Sequence, residues 1–330
     1  MSKFSGALPR FCSIAITAAG LLFISPVSAE APDAYPSKLL KIVVPFPAGQ
    51  GADTAARVLA KEIEAVSGQT VIVDNRPGGN NVIGVKAVTT AAPDGYTLFY
   101  GSNSPMAANG VFYKELGYDP VKDFSPVALL GKNYWVLVTS PDSPHKTFVE
   151  LVEFSKKNPM AVSIGAGATG YQLAAILMTN ASGMKANIIP YKGSPQAITD
   201  VLGQHVTATM ADFGTLRPLI ASGRLRALLV LNNQRIAGIP DIPSLKDVKL
   251  DMPILFSWTA VFAPANTPKP IRDRLAEIIL RAVKRDAYVE YSIKSGLETA
   301  YTGPDALGEF QRRQIESYSL AMKVGNVEPQ

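Results

Sequence analysis

The chain has 330 residues, of which 47% are hydrophobic and 18% charged, so it is long enough for two domains and apolar enough to bury ordinary cores. That balance excludes a disordered or low-complexity protein. The net charge of +5 comes from Lys and Arg scattered among acidic residues without an aromatic-laced patch, so it does not point to nucleic acid.

Residues 1–29 read as a secretory signal, with Lys3 and Arg10 in a positive start, an apolar stretch from Phe11 to Ile24, and Val27-Ser28-Ala29 as a small-residue cleavage site. The apolar stretch is shorter than the roughly 20 residues needed to span a bilayer, and Pro26 breaks it. Export to the periplasm is therefore expected. Cleavage removes Lys3 and Arg10, which lowers the net charge from +5 to +3. It also removes Cys12, the single cysteine, and so excludes disulfides, thiolate metal sites and cysteine catalysis in the mature chain.

The segment 41–68 is the most informative. Ile42-Val43-Val44 is a short apolar run stopped by Pro45 and Pro47, as expected for a strand buried on both faces of a parallel sheet. A turn over Ala48 to Ala52 follows, in which Gly49 and Gly51 permit positive φ and a close backbone approach to a ligand. Asp53 is placed as the N-cap of a helix whose apolar residues Ala55, Val58, Leu59, Ile63 and Val66 share a face, and Ser67-Gly68 ends it. The open start of such a helix favours an anion. The turn lacks the Gly-Lys-Ser/Thr ending of a phosphate-binding loop, which disfavours a nucleotide.

The pattern continues with a strand at Val71 to Val73, a helix from Val82 to Ala91 and a strand from Thr97 to Tyr100, the start of a doubly wound α/β arrangement. Two strand-like runs, Pro126 to Leu130 and Tyr134 to Thr139, are separated only by Gly131-Lys132-Asn133 and read as a crossing between lobes. A second α/β series runs from the Thr147–Lys157 helix through strands at 161–164, 187–190, 206–210 and 225–231. After a Pro-rich stretch, a strand at Thr259 to Phe262 leads to helices that start at Thr267-Pro268 and Thr302-Gly303-Pro304. With no strands of their own to cover, these helices are assigned back to the first lobe. The expected division is 30–133 plus 253–330 for lobe 1 and 134–252 for lobe 2, with a ligand cleft at the double hinge.

Catalytic and metal-binding patterns are absent from the sequence. His145 and His205 have no metal-ligand spacing, and Ser104, Ser163 and Ser194 stand in no Gly-x-Ser-x-Gly setting. No cofactor or metal is expected. Asp212, before a helix in Met210-Ala211-Asp212-Phe213-Gly214-Thr215, reads either as a helix cap or as a carboxylate on the cleft floor.

Short motifs spread over about 300 residues carry a resemblance. They include Tyr35-Pro36-Ser37-Lys38, Ile42-Val43-Val44-Pro45-Phe46 with Gly51-Ala52-Asp53, Asn75-Arg76-Pro77-Gly78 and Ala92-Pro93-Asp94-Gly95-Tyr96. Tyr118-Asp119-Pro120, Pro190-Tyr191-Lys192-Gly193, Gly223-Arg224-Leu225-Arg226 and Ala263-Pro264 continue the series. In these the chain resembles the Bug family, the extracytoplasmic solute receptors of tripartite tricarboxylate transporters. The resemblance implies an α/β, two-lobed periplasmic binding protein fold of type II-like form, with two crossing strands and a central cleft that closes on a small carboxylate. It implies that Phe46, Ala48, Gly49, Gly51, Ala52 and Asp53 hold one carboxylate, mostly through backbone amides and water. Asn103 and Ser104 are implied to face the cleft from lobe 1, and the turn containing Gly167, Ala168, Thr169 and Tyr171, together with Asp212, from lobe 2. Relatives often carry Ala-Gly-Asn-Gly-Thr-Ser-Ser at that second-lobe turn; here Gly167 replaces the Asn, Ala168 the second Gly, and Gly170-Tyr171 the serines. Fewer hydroxyls and an added ring suggest an aromatic or longer dicarboxylate, with Tyr171 and Trp258 as apolar walls. The expected function is capture of a carboxylate and delivery, by a monomer, to a tripartite membrane transporter. A periplasmic sensor kinase is the alternative partner, and a periplasmic enzyme is disfavoured.

Overall fold

The computed structural model describes Met1 and residues 35–330, so the signal read over residues 1–29, Cys12 included, lies outside the described residues but for Met1. Two sheets organise the described chain. Strands from its two ends build the first: β1 (Leu40–Val44), β2 (Val71–Asn75), β3 (Thr97–Ser102), β4 (Phe124–Asn133), β10 (Ser257–Pro264) and β11 (Glu298–Thr302). The middle of the chain builds the second: β5 (Trp135–Thr139), β6 (Val162–Ala166), β7 (Ala186–Pro190), β8 (Ala208–Asp212) and β9 (Arg226–Val230). The spatial orders are β11-β4-β10-β3-β1-β2 and β7-β6-β8-β5-β9. In each sheet a parallel βα part is extended by antiparallel strands: β1 runs parallel to β2 and β3, β6 parallel to β7 and β8, and β4, β5 and β10 pair antiparallel with their neighbours.

The apolar run of β1 follows from burial on both faces. Leu40, Ile42 and Val44 pack with Leu59 and Ile63 of α1 (Gly51–Ser67) and with Leu275 and Ile279 of α8 (Lys269–Val283). Val43 points the other way, into the cluster with Val85 and Val88 of α2 (Val82–Thr89). Each such side chain removed from water contributes roughly 1.5–3 kcal/mol before entropy is counted. In α8 the apolar stripe Ile271, Leu275, Ile278, Ile279 and Ala282 is buried in full. Gly68 closes α1 in the left-handed region, its N–H donating to the Glu64 carbonyl. Among the described residues no helix is long and apolar enough to cross a membrane.

Several local expectations are corrected. Gly131-Lys132-Asn133 is not a linker: it forms the end of β4, pairing with β10 through Ser257↔Asn133 and Trp258↔Lys132, so the crossing between sheets narrows to Tyr134. The C-terminal helices do accompany a strand, because β11 pairs antiparallel with β4 between α9 (Asp286–Ser295) and α10 (Pro304–Val324). The helix expected to start at Thr267-Pro268 starts at Lys269: the Thr267 hydroxyl donates to the Pro264 carbonyl at 2.8 Å, and Pro268 takes the cap position. Asp53 is not the cap of α1, since the helix starts at Gly51 behind an extended Gln50.

Trp258 is a core residue and not a wall of the cleft. It lies in β10 between β3 and β4, fully buried, with its ring edge-on to Phe310 of α10 at 5.3 Å between centroids. Trp258→Ala is therefore expected to lower unfolding stability by about 3–5 kcal/mol in urea titration, the cost of a large core truncation.

Candidate functional site

A cavity of about 320 Å³ opens where the two sheets meet. Three turns at strand ends supply its walls. The first follows β1: Phe46, Gly49, Gly51 and Ala52 line the cavity, while Ala48 and Asp53 do not. Gly49 adopts φ +82°, a conformation open to glycine. The Asp53 carboxylate accepts the Gly49 N–H at 3.0 Å, the Asn75 Nδ2 at 3.0 Å and an ion pair from Arg57 at 2.9 Å. Burial works against its charge, but these partners together hold the carboxyl below its ordinary value. Asp53 therefore shapes the turn from behind. The Gly51 and Ala52 amides open a 17-residue helix and have no intrahelical acceptor, so the positive end of α1 faces the cavity.

The second wall follows β3. Asn103 and Ser104 line the cavity ahead of a π-helical turn, Ser104–Ala108. Asn103 donates to the Tyr318 hydroxyl at 2.9 Å, and Ser104 Oγ accepts the Gly170 N–H at 3.2 Å, a direct bond between the halves. The third wall comes from the second sheet. Ala168 and Tyr171 at the start of α5 (Thr169–Ser182) line the cavity; Gly167 and Thr169 do not. Gly167 instead packs backbone to backbone on Gly193 and Ser194, where a Cβ would come within 2.3 Å of the Ser194 nitrogen. The Tyr171 ring stands edge-on to Trp135 at 5.0 Å.

Asp212 ends β8 opposite Trp135, at the crossing, and is both the last strand residue and the residue that precedes α7 (Phe213–Ala221). Its side chain forms no cap bond, and its Oδ1 has no hydrogen-bond partner. Asp212 is partly buried and lines the cavity. Burial drives its carboxyl up to about 6, with the neighbouring Ser257, Tyr171 and Trp135 groups pulling the other way. Trp135 Nε1 donates to Ser257 Oγ at 2.7 Å, which ties β5 to the start of β10 beneath this carboxyl.

The cavity also takes residues that sequence reasoning missed: Gln50, Thr54, Tyr100, Ser102, Asn133, Thr215, Ser257, Thr259, Tyr291 and Ser295 among them. One signal was available, because Tyr100 and Ser102 alternate on β3 and Thr259 stands opposite Ser102 on β10. The remainder come from tertiary contact, as with Tyr291 and Ser295 on α9. None of the lining residues is Lys, Arg or His.

This geometry can be set beside known proteins. Residues 55–322, from inside α1 to inside α10, match the model of the tripartite tricarboxylate transporter family receptor. The chain belongs to that family. Protein BugT of Bordetella pertussis is 34% identical over 309 residues, which cover 93% of each chain. The structure of the periplasmic binding protein BugD superposes with a TM-score of 0.84 at 29% identity, covering 90% of this chain and all of that one. Rpa4515 of R. palustris, solved with adipate, gives a TM-score of 0.86 at 25% identity, again over 90% of this chain. The family is one of receptors, not enzymes, and the two-lobed α/β fold is shared with these relatives.

The Asp212 carboxyl offers a pH test within this receptor. Its folded-state value of about 6 exceeds the ordinary 3.8, so the stability tied to its proton is fully present below about pH 4 and is lost as pH rises through 6. Asp212→Asn cannot titrate, and relative to the wild type it should gain up to about 3 kcal/mol between pH 4 and 7. Urea denaturation of both proteins at the two pH values measures this, and a pH-independent difference would show that Asp212 ionises normally.

Proposed function

We propose that the protein is an exported receptor that captures a small carboxylate in the cavity and delivers it to the membrane partner of a tripartite tricarboxylate-type transporter. The observation that carries the reading is the start of α1, where Gly51 and Ala52 present their amides to a cavity that contains no cation of its own. Amide donors and a helix end hold a carboxylate without a competing fixed cation, and each such charge gains about 0.3–1 kcal/mol when exposed and more when sheltered. Similarity over 90% of the chain to Rpa4515, solved with adipate, supports the ligand class. The two moving lobes are residues 30–133 with 253–330, and residues 134–252. Their closure desolvates the ligand and builds one recognition surface from both, so the partner senses a shift in population.

Within the carboxylates, the reading extends to aromatic and longer acids, because the Tyr171 ring lines the cavity and a ring contact adds about 0.5–1.5 kcal/mol beyond burial. A thermal-shift panel of aliphatic and aromatic mono- and dicarboxylates tests the function. A true ligand at about 100 times its Kd should add about 2.7 kcal/mol of stability, and silence across the panel would remove the carboxylate reading. Tyr171→Leu keeps apolar bulk and removes the ring, so it should weaken aromatic acids by roughly three- to tenfold while leaving aliphatic ones unchanged. Gly51→Ala should weaken every ligand, because its Cβ would stand 2.8 Å from Thr215 Oγ1 across the closed cleft. Equal affinity in wild type and Gly51→Ala, measured by calorimetry, would show that closure does not bring these lobes together.

A further inference from the structure

The end of α9 stands against the start of α7, at a place where the two halves of the molecule touch. Gly214 lies on Ser295, since a Cβ there would come within 2.7 Å of the Ser295 carbonyl oxygen, and Gly296 lies on the Phe213 ring, where a Cβ would meet Cδ1 at 2.7 Å. Arg217 sits one turn into α7. Its Nη1 donates to the Ile293 carbonyl at 3.3 Å and to the Lys294 carbonyl. These carbonyls belong to the last turn of α9, the negative end of its dipole, where a cation is favoured. Among the described residues Arg217 forms no ion pair with an acid, so its guanidinium serves this helix end alone.

Both helices carry part of the cavity wall. Thr215 and Pro218 of α7 line it, as do Tyr291 and Ser295 of α9, whereas Arg217 does not. The two helices belong to different sheets: α7 follows β8 of the second, and α9 lies between β10 and β11 of the first. A neighbouring bond shows what sets Arg217 apart. Asn133 Nδ2 also donates to the end of α9, at the Ser295 carbonyl and 3.2 Å, but Asn133 ends β4 of the first sheet, so that bond stays within one half. A rotation about Tyr134 that parts the halves leaves the Asn133 bond intact and breaks both bonds of Arg217. The Ser104–Gly170 bond crosses between the halves as well, but it is a bond between neutral groups, and the charge-assisted bonds of a guanidinium are the stronger kind.

We infer that Arg217 is a positioning residue that ties α7 to α9 and so retains a captured ligand without touching it; the inference rests on the proposed capture function and adds what holds the cavity shut. Three purified proteins test it: the wild type, Arg217→Ala, and Arg217→Lys, which keeps a cationic donor at the same place. In small-angle X-ray scattering without ligand, Arg217→Ala should show a larger radius of gyration than the wild type, with Arg217→Lys between them. In stopped-flow binding with adipate as the probe, Arg217→Ala should dissociate about tenfold faster while its association rate changes by about twofold or less, and Arg217→Lys should recover part of the loss. Equal radii for the wild type and Arg217→Ala would overturn the inference and leave the receptor function standing. A larger radius with an unchanged rate of adipate dissociation would overturn the role in retention. Absence of adipate binding in the wild type would count against the carboxylate reading, and the radii would then decide the tie by themselves.

Discussion

The passage of the chain between its two sheets is the constraint on which the rest depends. β4 runs straight into β5 with Tyr134 alone between them, and the return passage enters β10 at Ser257, directly opposite Asn133. The Trp135 Nε1 bond to Ser257 Oγ fastens the two passages together. Because Trp135 also pairs with Asp212, a single knot fixes the end of β8, the floor of the cavity and the relative register of both sheets. A hinge of one residue leaves little slack in which the cavity floor could drift, so the polar groups there are held by strands and not by loops.

The cavity presents the dipole of α1 and no Lys, Arg or His in its lining. A guanidinium in the wall would add Coulomb attraction, and would also bind any anion of suitable size. Amides at the start of α1 are weaker and directional, and their position is set by Asp53, which grips the Gly49 N–H from outside the cavity while Arg57 and Asn75 balance its charge. A carboxylate that serves as scaffold and another, Asp212, that faces the cavity are thus separated by their environments. One is held below its ordinary value by its partners and the other is pushed above it by burial. Modest attraction with good geometry also suits a receptor that must release what it carries.

The βα alternation was legible in the sequence because strands buried on both faces, such as Ile42-Val43-Val44 and Val136-Leu137-Val138, leave uninterrupted apolar runs that turn residues punctuate. β11 was not legible, for the opposite reason: Glu298–Thr302 lies at a sheet edge, half exposed, and its polar side chains carry little periodicity. Asp53 misled for a physical reason. An aspartate after Gly-Ala is a good cap by local preference, but Arg57 and Asn75 recruit its carboxylate, and Asn75 lies on another strand 22 residues away. Trp258 misled similarly, since only the sheet order places β10 between β3 and β4 and so inside the core. The first turn of the site was visible as a motif, whereas Asn133, Ser257, Tyr291 and Ser295 join the cavity through contacts that no local pattern encodes.

Glycines stand where the two halves approach each other most closely. Gly51 approaches Thr215, Gly170 sits where a Cβ would meet Asn103 Nδ2 at 2.4 Å, and Gly193 sits where one would meet Gln50 and Pro47 at 2.9 Å. Gly51 belongs to the first half and Gly170 and Gly193 to the second, and each touches the half opposite. Gly51 lines the cavity, and at all three positions the halves meet backbone to side chain. The Ser104–Gly170 hydrogen bond joins the two halves directly at the same place. Six of the polar atoms left without partners belong to residues that line the cavity, where their burial costs free energy.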